Sequence, residues 1–256
     1  NESLLIHVPH ASTSIPADIR QGILLDDEDL ALETLALVDR FTDELFILEG
    51  AMQIRFEYCR VVCDPERFRD DCNEPMSLVG MGAIYASRID GRPLRSLTEN
   101  VREKMLARFY DPHHAALTSA VTRILDACGK CMIVDAHSFP DIPLPFEKDQ
   151  RQPRPDICIG TSDFHTPEAV VSTIERRCHA NGYTTMRNAP YSGTMVPSRY
   201  YLADSRVQSV MIELNRRLYM DETTGGKLAS FSRLRDFLSG LLRELSVLHH
   251  DRDQAC

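Results

Sequence analysis

Apolar residues along this chain fall into two kinds of run. Short unbroken runs read as buried strands: Leu4–Val8 (LLIHV, ended by Pro9), 54–63 (IRFEYCRVVC), 131–136 (CMIVDA), 156–160 (DICIG), a short one near 183–186, and 207–214 (VQSVMIEL). Spaced runs read as helices. Leu32, Leu35, Val38, Phe41, Leu45 and Leu48 recur at intervals of three and four and predict a helix over 28–49. Further helices are expected at about 97–110, from 111 to about 127, at 167–181 and at 227–248. Asp111 followed by Pro112 reads as an N-cap and first helical position, and Gly129 as the breaker that ends that helix.

Strands that alternate with helices, and that are continuously apolar, belong to a sheet covered on both faces. The expected fold is α/β, a mixed and mostly parallel sheet with helices on both faces, in one domain over 1–256. Ligands of such sheets bind beyond the carboxyl ends of the strands. Four predicted strand ends carry functional groups where turn residues would suffice. They are Pro9-His10-Ala11-Ser12, Cys63-Asp64-Pro65-Glu66-Arg67, Asp135-Ala136-His137-Ser138 and Glu213-Leu214-Asn215-Arg216.

Composition narrows the partners. With 256 residues, 43% hydrophobic and 26% charged, the chain has the make-up of an ordinary globular protein. Lys and Arg number 29 against 38 Asp and Glu, a net charge of −9, which argues against a nucleic-acid partner. A local arginine pocket for an anionic substrate remains compatible with that balance. No apolar stretch reaches about 18 residues, so no membrane span is expected, and the first residues lack the pattern of a signal peptide. Eight cysteines, at 59, 63, 72, 128, 131, 158, 178 and 256, form no disulfide scaffold in a chain this long, and a cytoplasmic location is expected. Cys128-x-x-Cys131 has the spacing of half a zinc knuckle without a second half, so both read as structural.

The strand ends suggest a metal centre. His137 suits a metal ligand, and Asp135, two residues earlier on the same strand face, suits a partner that orients it. His10 is a second histidine candidate, with His7 three residues before it. A catalytic zinc usually takes three protein ligands, so an acidic residue is sought. Asp39 and Asp43 share a face of the predicted helix 28–49, and Asp39 lies nearer its buried stripe. Glu213 follows Val210-Met211-Ile212, where partial desolvation would raise its pKa toward the range useful for proton transfer; the ordinary alternative is an ion pair with Arg216 or Arg217. Arg67 and Arg216 can each grip a carboxylate with two parallel hydrogen bonds. His113-His114 opens a helix, and 188–193 (NAPYSG) is either a plain connection or a substrate-facing loop. Nucleophile elbow, phosphate loop and dinucleotide fingerprint are all absent from the sequence.

Taken together, Val8-Pro9-His10-Ala11-Ser12 with Ile15-Pro16, the Asp39 helix, Asp111-Pro112-His113-His114-Ala115-Ala116-Leu117, Val134-Asp135-Ala136-His137-Ser138, Asn188-Ala189-Pro190-Tyr191-Ser192-Gly193 and Ile212-Glu213-Leu214-Asn215-Arg216-Arg217-Leu218-Tyr219 resemble the N-formylglutamate amidohydrolase family. The order of segments is the family's, and they span nearly the whole chain. That family is similar to the zinc carboxypeptidases and aspartoacylases, of phosphorylase/hydrolase-like fold. The resemblance implies a divalent cation, zinc foremost, held by His10, Asp39 and His137. It makes Glu213 the general acid/base, with Arg67 acting on the oxyanion and the substrate carboxylate. It places His114, Asn188, Tyr191, Ser192, Gly193, Asn215 and Arg216 around a small N-acyl amino acid. The implied reaction is hydrolysis of N-formyl-L-glutamate to L-glutamate and formate; the alternatives are another N-acyl amino acid, a short peptide, or a binding protein that has lost catalysis. The chain departs from the relatives' pattern in three places. Asp64-Pro65-Glu66-Arg67 lacks their asparagine, His7-x-x-His10 replaces their His-x-x-Glu, and Tyr191-Ser192-Gly193-Thr194 replaces a glycine-rich loop.

Overall fold

The computed structural model describes residues 1–250; Cys256 and the end of the expected 1–256 domain lie outside the described residues. Six strands, β1 (Leu4–Val8), β2 (Met52–Arg55), β3 (Cys131–Phe139), β4 (Ile157–Gly160), β5 (Thr185–Arg187) and β6 (Val207–Asn215), form one sheet in the order β2-β1-β3-β6-β4-β5. Strands β2, β1, β3 and β6 run parallel; β4 is antiparallel to β6 and parallel to β5. Seven helices accompany them: α1 (Ala17–Arg20), α2 (Asp27–Leu37), α3 (Thr42–Leu45), α4 (Glu99–Met105), α5 (Asp111–Cys128), α6 (Glu168–Ala180) and α7 (Phe231–His250). This is the mixed, mostly parallel α/β sheet expected.

Alternation along the three central strands decides what faces where. Leu4, Ile6, Val8, Met132, Val134, Ala136, Val210, Ile212 and Leu214 pack with α6 and α7 on one face. Leu5, Cys131, Ile133 and Val207 pack with Leu117, Val121 and Ile124 of α5 on the other. Because side chains alternate at period two, His7, Asp135, His137 and Glu213 all project on the α5 face, toward the carboxyl ends of β1, β3 and β6. A third core cluster lies outside the sheet and takes in Leu30, Leu37 and Val38 with residues between 56 and 110.

Three expectations are corrected. The helix predicted over 28–49 ends at Leu37: Val38 is extended, and Phe41 has φ 69°. The apolar stripe that suggested one helix feeds two cores. Leu30, Leu37 and Val38 join the third cluster, whereas Leu45, Phe46 and Leu48 join the sheet core. Asp39 therefore sits in a bend, where its N–H donates to the His10 carbonyl (2.9 Å), and it shares no helix face with Asp43. The strand predicted over 54–63 stops at Arg55, since Cys59, Val61, Val62 and Cys63 are buried in the third cluster instead. Asp111 does not cap a new helix. α4 runs through a π turn, Leu106–Tyr110, directly into α5, and the wider turn lets the chain pass Pro112, which has no N–H to give. Gly129 does end α5, with φ 74°.

One close approach ties β4 to the loop before β6. A Cβ on Gly160 would lie 2.3 Å from the Gly193 carbonyl oxygen and 2.4 Å from Met211 Cε. Gly160→Ala is expected to destabilise the protein by about 1–3 kcal/mol through overpacking, seen as a lower midpoint in thermal unfolding. An unchanged midpoint would mean that the loop is free to retreat.

Candidate metal centre and active site

Three elements bring three ligand atoms together. His10 comes from the chain leaving β1, Asp39 from the bend after α2, and His137 from β3. One ligand atom from each lies within 4.8 Å of the others, and all three residues are buried. Asp39 Oδ2 is 3.4 Å from His10 Nδ1 and 3.3 Å from His137 Nδ1. Four donors around zinc at about 2.0–2.1 Å, placed tetrahedrally, are separated by about 3.3–3.4 Å, which matches both distances from Asp39 Oδ2.

The far side of each ring explains why the Nδ1 atoms face inward. His10 donates from Nε2 to Asp64 Oδ1 (2.8 Å), and His137 from Nε2 to Asp135 Oδ1 (3.1 Å). A carboxylate only accepts, so both Nε2 atoms carry a proton; His10 Nδ1 is then left with a lone pair, whereas His137 Nδ1 faces a second carboxylate oxygen, Asp39 Oδ2, at 3.3 Å. Carboxylate–histidine pairs of this kind orient metal ligands. His10 Nδ1 is buried and makes no hydrogen bond. Two imidazole nitrogens and a carboxylate oxygen, buried and turned toward one another, are a donor set that fits a cation.

The carboxylates are themselves held. Asp64 is buried and accepts from Arg60 (2.7 Å) and Tyr85 (2.5 Å); burial works against its charge, yet Arg60, His10 and Arg67 hold its pKa well below the ordinary value. Asp39 accepts from Arg216 (3.0 Å) and Ser138 (3.1 Å), and His10, His137 and Arg216 likewise outweigh burial and keep it ionised. Burial opposes charge on His137 as well, but Asp135, Asp39 and Glu213 raise its pKa well above 6.5. The pocket thus draws positive charge toward its centre.

Behind His137 lies a second polar layer. Asp135 Oδ1 accepts from His7 Nδ1 (2.9 Å), and Asp135 Oδ2 accepts from the Met195 N–H (2.9 Å). His7 Nε2 is 2.9 Å from His113 Nε2 on α5. Burial, followed by repulsion from His7, pushes His113 down to about 2, so it stays neutral. Burial also disfavours charge on His7, but Asp135 and Glu66 lift it to about 9.

A cleft of about 200 Å³ opens onto this centre, lined by Arg60, Glu66, Arg67, Glu213, Arg216, Leu144, Phe146, Glu147, Tyr191 and Ser192. Glu213 sits beside His137 in the β3–β6 register. Its Oε2 is buried with no hydrogen-bond partner. Neither arginine that follows it pairs with it: Arg216 is spent on Asp39, Ser138 and the Ala36 and Leu37 carbonyls, and Arg217 on Asp141 and Asp156.

The other expected site residues divide. Arg67, Tyr191, Ser192 and Arg216 line the cleft with His10, Asp39, His137 and Glu213. The Arg67 side chain makes no hydrogen bond among the described residues, its Nε lying 3.5 Å from Asp64, so its fork is available; that of Arg216 is not. His114, Asn188, Gly193 and Asn215 stand outside the cleft wall. His114 holds the Pro65 carbonyl (2.9 Å), Asn188 bonds Thr161, Gly193 packs over Gly160, and Asn215 bonds Asp141 and caps the turn at Arg217. Asp43 pairs with Arg55 at the surface. Arg60 and the 144–147 wall were not singled out by the sequence; Arg60 was hidden inside a presumed strand, and the wall belongs to an irregular segment with no periodic pattern.

A buried imidazole–carboxylate cluster with an unpaired glutamate beside it, at the carboxyl edge of a mixed sheet, is the equipment of a hydrolase. A sequence model of the N-formylglutamate amidohydrolase family matches residues 2–220. The N-formylglutamate deformylase of Pseudomonas aeruginosa is 29% identical over 231 residues, 86% of this chain and 82% of that protein; the one from Pseudomonas putida is 27% identical over 233 residues. The crystal structure of N-formylglutamate amidohydrolase from Ralstonia eutropha JMP134 superposes with a TM-score of 0.83 at 26% identity, covering 97% of this chain and 94% of that one. A gene product of Agrobacterium tumefaciens shares the fold at TM-score 0.67 and 21% identity. The chain belongs to the N-formylglutamate amidohydrolase family, enzymes that hydrolyse linear amide bonds. Among the described residues no helix is long and apolar enough to cross a membrane.

The buried Glu213 makes stability depend on pH. Burial, aided by Asp39 and Asp135 and opposed by His137 and Arg60, pushes its pKa from 4.5 up to about 8. Unfolding lets the carboxyl ionise at its ordinary value, so its stabilising effect is complete below about pH 4.5 and is lost as pH rises toward about 8. In metal-free protein, Glu213→Gln is expected to melt above the wild type, with the gap widest near about pH 8.5 and smallest near about pH 5. A gap that does not change with pH would contradict this.

Proposed function

We propose that this chain hydrolyses N-formyl-L-glutamate to L-glutamate and formate, with zinc held by His10, Asp39 and His137 and Glu213 as general base and then acid. The observation that carries the reading is Glu213 Oε2: buried, unpartnered, and next to a centre spaced for a tetrahedral cation. Family membership and the deformylase names of its relatives supply the substrate.

Zinc held by His10, Asp39 and His137 would supply Lewis-acid polarisation of the acyl carbonyl and a lowered water pKa. Glu213 takes a proton from a water in the cleft and delivers it to the departing amino nitrogen, a role suited to a carboxyl whose pKa burial has moved toward neutrality. Asp64 and Asp135 hold the two rings in their ligating orientation. Arg67, the cleft arginine with a free fork, grips a substrate carboxylate. Arg216 works indirectly, by fixing Asp39.

His137→Ala is expected to lose zinc, measured by elemental analysis, because one of three protein ligands is gone; full occupancy would refute the ligand set. Glu213→Gln keeps size and zinc but cannot accept the proton, and is expected to lower kcat by about 10²–10⁴-fold on N-formylglutamate. If the zinc is lost with it, Glu213 is a ligand; if the rate survives, it is not the base. Arg67→Lys keeps the charge and loses the fork, so KM for N-formylglutamate should rise roughly tenfold, the worth of a charge-assisted hydrogen bond. An unchanged KM would place the clamp elsewhere.

A further inference from the structure

The layer behind His137 contains a buried carboxylate oxygen without a hydrogen bond. Glu66 Oε1 lies 3.2 Å from His7 Nδ1 and 3.9 Å from His137 Nε2, yet it is buried and makes no hydrogen bond. The N–H groups that point toward it are already engaged. His7 Nδ1 and His137 Nε2 both donate to Asp135 Oδ1, at 2.9 and 3.1 Å, and His7 Nε2 faces His113. A buried carboxylate oxygen left without a donor costs about 1–3 kcal/mol or more, so this arrangement calls for another positive centre.

We propose that His7, Glu66 and Asp135 form a second divalent-cation site, on the opposite side of the His137 ring from the first. One ligand atom from each of the three lies within 4.8 Å of the others. The surroundings repeat the logic of the first centre. Met195 N–H occupies Asp135 Oδ2 and leaves Oδ1 turned inward. His113, neutral and bare at Nε2, accepts from His7 Nε2, which presents His7 Nδ1 to the cation once its proton is released. One imidazole and two carboxylates suit zinc, manganese or cobalt rather than a soft ion. Glu66 and His137 both line the catalytic cleft, so the site opens to the same solvent as the first and needs no separate entry.

Metal counting tests this, with a readout independent of turnover. Protein stripped by a chelator is dialysed against excess zinc, freed of loose metal and analysed for zinc per chain. Wild type is expected to hold two equivalents, Glu66→Gln one and His10→Ala one. Glu66→Gln is nearly isosteric and reaches the cleft, and circular dichroism checks its fold. A wild type that saturates at one equivalent, or a Glu66→Gln protein that still holds two, overturns the second site. The proposed function fails differently: the zinc-loaded wild type would leave N-formylglutamate intact, whatever its metal count.

Discussion

Asp39 is the constraint on which the rest of the site depends. A carboxylate removed from water is tolerated only where positive charge and donors surround it, and here the fold supplies them from three strands. Arg216 arrives from the end of β6, Ser138 and His137 from β3, and His10 from the end of β1. Each of these is in turn tied back. Arg216 bonds the Ala36 and Leu37 carbonyls at the close of α2, and His10 is anchored on Asp64, which Arg60 and Tyr85 hold. The break after Leu37, where the apolar stripe divides between two cores, leaves Asp39 beside the His10 carbonyl, to which its N–H donates.

The two sides of each imidazole then do different work. Carboxylates behind the rings, Asp64 and Asp135, fix which nitrogen carries the proton; the rings' other nitrogens converge on Asp39. Placing negative charge behind the imidazoles also makes them more basic. Burial raises Glu213, and Asp39 and Asp135 add to that by discouraging another charge beside them. The convergence of buried donors on Asp39 and the raised pKa of Glu213 are therefore two consequences of one buried electrostatic arrangement.

How much of this was legible in the sequence follows from how local each feature is. The apolar runs 4–8, 131–136 and 207–214 located the three central strands, and the rule that ligands collect at their carboxyl ends pointed to His10, His137 and Glu213. Continuous apolar runs also implied a sheet covered on both faces, as the α5 and the α6–α7 sides show. Asp39 was singled out for the wrong local reason: it was placed on a helix, whereas it lies in a bend. Periodicity reports burial, not which core a residue enters, so a stripe split between two clusters looked like one helix. Arg216 was expected to be a free clamp, yet its partners lie 78 to 180 residues away along the chain, and no spacing rule reaches that far. The pairing of His7 with Asp135 and His113 was equally invisible, since strand register sets the first and the rotation of α5 the second.

The most direct test of this account is the zinc affinity of Asp39→Asn, which preserves shape and removes the charge that gathers the site. The account predicts correctly folded protein whose affinity for the catalytic zinc falls by more than about 100-fold, beyond the 10–100-fold typical of losing an outer-shell partner. Zinc bound at wild-type affinity in that variant would contradict it.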